Sequence, residues 1–169
     1  MKFLHTLALF LALTGPLHAQ NTAFLKEPNS LVAEDDLAVR QVIARLNQAL
    51  DSGDYAVYGS FFADDAVFTS GFGDATGPAG VAAALEQVRP FITNKRHVSA
   101  NLVINGAGDR AVVTSYLIVF ERVADLSYVG SAINIDTLEK RGGRWLVTRH
   151  DSELDPATAD AMQAAMGGQ

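Results

Sequence analysis

Two different spacings of apolar residues divide the chain. From 34 to 50, Leu37, Ile43, Leu46 and Leu50 recur at helical spacing among polar residues, acidic Glu34, Asp35 and Asp36 open the run, and Gly53 follows it. Carboxylates suit the positive end of a helix and glycine suits its exit, so an amphipathic helix of about four turns is expected. A second short helix is expected over 55–62, with Asp54 as its cap, then a brief strand over 66–69. "GFGDATGP" reads as a loop, and Pro78 opens a third helix through Val81, Leu85 and Val88 that Pro90 stops. Beyond it the spacing changes to alternation. Segments 96–105, 110–122, 128–140 and 144–152 are rich in β-branched and aromatic residues and are separated by "NGAGD", "VADLS" and "RGG". Helices first and hairpins afterwards predict an α+β domain, with N-terminal helices packed on a curved, mainly antiparallel sheet around a cavity.

Composition changes the picture at the ends and in the solvent. The opening "MKFLHTLALFLALTGPLHAQ" places Lys2 before an apolar stretch too short to span a bilayer, and a small residue at Ala19. This predicts a signal peptide over 1–19, an irregular arm over 20–33, the domain over 34–155, and a tail or short helix over 156–169. The mature protein is expected in the periplasm or secreted. There is no cysteine, so neither a disulfide nor thiol chemistry is available. A net charge of −6 with no basic cluster argues against nucleic acid and anionic membranes as partners. A small-molecule ligand, neutral or cationic, or another protein is left as the expected partner.

The order of elements and the phrases "ALDSGDYAVYGSFFADDAVF", "ATGPAGVAAAL", "KRHVSAN", "AVVTSYLIVF" and "EKRGGRWLVTRHD" resemble the SnoaL-like branch of the nuclear transport factor 2-like superfamily. The resemblance covers roughly residues 34–153. It implies a cone-shaped α+β barrel with an internal pocket, often a homodimer through the sheet, and no single reaction. Within the superfamily the pocket pattern is similar to that of scytalone dehydratases. That likeness puts Asp51 and His97 at the places of a helix-end aspartate and a strand histidine of the pocket, and Asn134 at that of a pocket asparagine. Leu50, Ser70 and Tyr116 depart from the pattern, standing where that family has two tyrosines and a second histidine.

Read as residues, Asp51 shares a helix face with Ile43 and Asn47. It is either a core-facing acid or a solvated helix end. His97 alternates with Ser99 and Asn101, a polar strand face that lines a cavity or meets water. If it lines the cavity, His97 and Asp51 form a catalytic pair, with Asn101, Asn134 or Tyr116 holding a substrate oxygen. Tyr58, Phe68 and Tyr116 are chosen as cavity wall, and His150, in phase with Leu146 and Thr148, as a rim or structural residue. The histidines lack tight ligand spacing, so no metal and no cofactor is expected. The expected function is binding of a small, largely apolar molecule, with cofactor-free dehydration or isomerisation as its possible chemistry. The alternative is a non-catalytic binding or interaction module on the same fold.

Overall fold

Acidic residues begin the first helix, α1 (Ala33–Ser52), and one of them ties it to the sheet. Asp35 Oδ1 accepts bonds from Lys140 Nζ at 2.7 Å and Trp145 Nε1 at 2.9 Å. Lys140 first and Trp145 second hold its carboxyl below the usual range. In this computed structural model residues 27–167 are described. The expected leader and residues 20–26 of the arm lie outside them.

The inward face of α1 is Val39, Val42, Ile43, Leu46 and Ala49, at helical spacings of three and four. Leu37, expected in that stripe, is 58% exposed. It lies two positions before Val39, about 200° around the helix, which turns it away from the sheet. Gly53, in the left-handed region at φ 73°, ends the helix by donating to the Leu50 carbonyl. The chain then reverses into α2 (Tyr55–Gly59), capped as expected by Asp54, whose Oδ1 accepts from the Val57 N–H at 3.0 Å.

The second helix is shorter than the sequence suggests, because Phe62 leaves it to begin β1 (Phe62–Ser70). The expected loop "GFGDATGP" contains β2 (Gly73–Thr76), paired antiparallel with β1. Gly71 and Phe72 suffice to turn the chain, so the two flanks pair directly. Helix α3 (Gly77–Gln87) ends before Pro90, but this proline opens a further turn, α4 (Arg89–Ile92), where its missing N–H costs no helical bond.

The second half supplies β3 (Lys95–Ala107), β4 (Arg110–Glu121), β5 (Tyr128–Arg141) and β6 (Arg144–Leu154), close to the four expected segments. The six-stranded sheet has the order β2-β1-β6-β5-β4-β3, and β1 with β6 is its parallel pair. Helices α1 and α3 pack on it over a core that includes Val39, Val81, Val113, Leu138 and Val147. A last helix, α5 (Pro156–Gly167), crosses back to the sheet. A Cβ on Gly130 would lie 2.6 Å from Thr158 Cγ2, so glycine is what allows that approach.

Two of the sheet's register shifts decide which candidate side chains face inward. Between Ala100 and Val103, β3 advances three residues while β4 advances two, from Tyr116 to Thr114. Inward positions therefore change from odd, at His97, to even, at Ile104. A second register shift, opposite Thr137/Leu138, puts the extra residue of β6 at Thr148. It corrects the expected phase of His150: the imidazole is not in register with Leu146 but joins the buried side after Trp145 and Val147.

Candidate functional site

Curvature of the sheet over α1 and α3 encloses a cavity of about 320 Å³. Its wall is mainly apolar, from Leu50, Leu85, Phe91, Leu117 and Leu154, with Met162 of α5 on one side. Polar side chains enter at few places, among them Asn47, His97, Asn134, His150 and Ser152. A mostly apolar cavity of this size with a few fixed polar groups suits a small organic molecule.

The last turn of α1 brings Asp51 against the start of β3. Asp51 Oδ1 lies 2.7 Å from His97 Nδ1 and accepts the His97 backbone N–H at 3.0 Å. Its Oδ2 lies 3.2 Å from the Arg96 guanidinium. The carboxylate and imidazole are 7% and 6% exposed, and Arg96 is half-exposed. An ionised carboxylate only accepts, so Nδ1 carries the hydrogen, and in the neutral form of the ring Nε2 offers a lone pair. His97 lines the cavity, and Asp51 stands behind it.

A second pair lies on the facing strands. His150 Nδ1 is 2.7 Å from Asp136 Oδ1, with side chains 7% and 3% exposed. The imidazole is stacked on Phe68, centroids 4.9 Å apart and planes at 11°, and Phe62 meets it edge-on. His150 and Asp136 face each other in the β5–β6 register, and Asp136 is level with the fully buried Val113 of β4. His97 is level with Val119. Among the described residues neither Nε2 has a hydrogen-bond partner.

Two further donors reach this space. Asn134 Oδ1 accepts from Ser152 Oγ at 2.8 Å, which leaves the amide Nδ2 to donate. Tyr58, buried against Phe62, has its phenol pushed well above the usual range, by burial first and the Asp136 charge second. It stays a hydroxyl, able to donate.

Of the residues singled out from sequence, His97, Tyr58, Phe68, Asn134 and His150 line the cavity, and Asp51 holds His97 from behind. Asn101 and Tyr116 do not. Asn101 falls in the β3 bulge with φ 52° and is exposed. Tyr116 is one residue from the buried Ser115 and so points to the opposite face, 50% exposed. The reading missed Asp136. Its signal was legible in "AINID", where Asn134 and Asp136 recur two apart in an apolar strand, a spacing that puts both on one face.

Residues 32–151 match a family model described as a SnoaL-like domain. A Nostoc punctiforme protein of unknown function with a cystatin-like fold is 34% identical, with a TM-score of 0.71 over 75% of this chain and 96% of that one. A Catenulispora acidiphila protein solved in complex with S-DNPA is 27% identical, with a TM-score of 0.66 over 76% and 99%. A putative scytalone dehydratase from Novosphingobium aromaticivorans shares the fold, at 19% identity and a TM-score of 0.63 over 72% and 85%. No curated protein matches the chain.

Proposed function

The chain belongs to the SnoaL-like domain family, and from that premise we propose that it binds a small, largely apolar molecule in its cavity and catalyses proton transfer there through Asp51 and His97. The observation that carries this reading is the buried 2.7 Å contact between Asp51 and His97, with the free face of the imidazole on the cavity. Asp51 fixes the ring's orientation and tautomer, and His97 Nε2 takes a proton from a carbon beside a carbonyl or hydroxyl. Asn134 keeps its expected place as a group that holds the oxygen, and Tyr58 takes over from Asn101 and Tyr116. Dehydration and isomerisation both fit this arrangement.

The mainly apolar wall supports a second reading, in which the same cavity holds a ligand and performs no reaction. Nitrobenzisoxazole, whose ring opens to a coloured phenolate when a base removes its carbon-bound proton, separates the two. Opening by the wild-type protein and its loss in Asp51→Asn and His97→Gln, with circular dichroism unchanged, is the expected result. Equal rates in all three would leave the binding module as the better account.

Export by the leader at 1–19 and dimerisation through the sheet belong to the same proposal. The outer face of β3, β4 and β5 carries Val98, Tyr116 and Ile135, each 38–50% exposed, an apolar surface suited to a second copy. Tyr116→Lys is expected to shift the mass measured by light scattering from dimer to monomer.

A further inference from the structure

The two carboxylates of the cavity differ in what balances their charge. Asp51 has a cation of its own, the Arg96 guanidinium, in addition to His97. Asp136 has none: among the described residues, the one group in contact with it that can carry positive charge is His150. The other polar groups nearby, Tyr58, Asn134 and Ser152, are neutral. A carboxylate buried in an apolar region without a countercharge is strongly disfavoured, and a proton on the adjacent imidazole supplies that charge. Beside Asp51 the charge is already supplied, so His97 is free to stay neutral.

We propose that Asp136 and His150 are the acid half of the site, His150 entering the reaction as an imidazolium whose Nε2–H holds and protonates the ligand's oxygen. This deepens the proton-transfer reading and rests on it. The substrate class is an enolisable carbonyl compound. His97 Nε2 takes the proton from carbon, the C–H electron pair becomes the new C=C bond, and the carbonyl π pair takes the His150 proton to form the enol O–H. In the return step His97 delivers its proton to carbon and the enol proton goes back to His150. Atoms and charge balance without any other reactant. Tyr58 and Asn134 donate to the same oxygen, and the stack on Phe68 holds the imidazole plane.

Nitrogen-15 labelling of the histidines in the intact protein reads the protonation directly, with His97→Gln and His150→Gln used to assign the signals. At pH 7 the His150 ring is expected to carry two protons and the His97 ring one, on Nδ1; Asp136→Asn is expected to leave one on His150 and not to alter His97. The catalytic part is read by deuterium exchange into β-tetralone, which His150→Gln is expected to slow by about 10²-fold, the usual loss on removing an oxyanion donor. A singly protonated His150 in the wild-type protein overturns the proposal, a measurement that does not depend on how any variant folds. So does exchange at the wild-type rate in His150→Gln; if His97→Gln still abolishes exchange, the base assignment survives and the acid assignment alone fails. Absence of exchange with the wild-type protein, whatever the state of His150, overturns both.

Discussion

Asp51–His97 and Asp136–His150 are joined by the same 2.7 Å contact, but the first is built at a helix end beside a half-exposed arginine and the second between paired strands. The first carboxylate has three donors to satisfy it, from Arg96, the His97 backbone and the His97 ring. The second has the His150 ring. The same two residue types can therefore differ in proton content within one cavity, through the charges that accompany them rather than through their own geometry. In this account the pair beside Arg96 is a base and the pair without a further cation is an acid.

That contrast can be broken from either side. The largest effect is expected from His97→Gln, which removes the base and should slow nitrobenzisoxazole opening by about 10²–10⁴-fold while ligand binding, followed by calorimetry, persists. Next is stability. Asp136→Ala leaves His150 unpaired in the core and should cost about 3–5 kcal/mol in denaturant unfolding, whereas the double change Asp136→Leu/His150→Phe should recover most of it, because two apolar groups need no countercharge. Tyr58→Phe removes one donor and should weaken binding of an oxygen-bearing ligand by about 1 kcal/mol. A similar loss, about 1 kcal/mol of stability, is expected for Asp54→Ala, which uncaps the helix that carries Tyr58.

The smallest effect concerns the ion pair of Lys95 with Glu121, which closes the β3–β4 end one residue from Arg96. Lys95 chiefly, with the backbone N–H of Val123, pulls the Glu121 carboxyl from the ordinary 4.5 down to about 2. A depressed folded value means that its contribution is complete above pH 4.5 and is lost as pH falls through about 2. Glu121→Gln should remove that part of the acid dependence of unfolding, lowering stability at pH 7 by the small amount a solvent-screened pair contributes and leaving it unchanged below about pH 2.

The order of elements was legible because each kind of element leaves its own period: three and four along α1, two along β3 to β6. The Asp51–His97 pair was legible from the helix face shared with Ile43 and from the family resemblance together. What alternation misjudged were Asn101, which follows His97 and Ser99 in sequence but lies in a bulge, and His150, which a bulge at Thr148 turns inward. A bulge inserts one residue without any fixed sequence mark, so side-chain phase is lost exactly where the strand bends. Tyr116 was lost for another reason: an aromatic residue on a strand suits a cavity wall and an exposed apolar face equally. The role of α5 in closing the cavity depends on Gly130 meeting Thr158, a long-range contact that neither segment announces alone.

The central claim is that two histidines of unlike protonation act on one ligand in one step. A double-mutant cycle on deuterium exchange into β-tetralone, using wild type, His97→Gln, His150→Gln and the double variant, tests it most directly. Residues that act as a unit are strongly non-additive. The double variant should therefore be hardly slower than His97→Gln alone, each single change having already disabled the shared step. Losses that multiply would contradict it, as would a His150→Gln variant that exchanges at the wild-type rate.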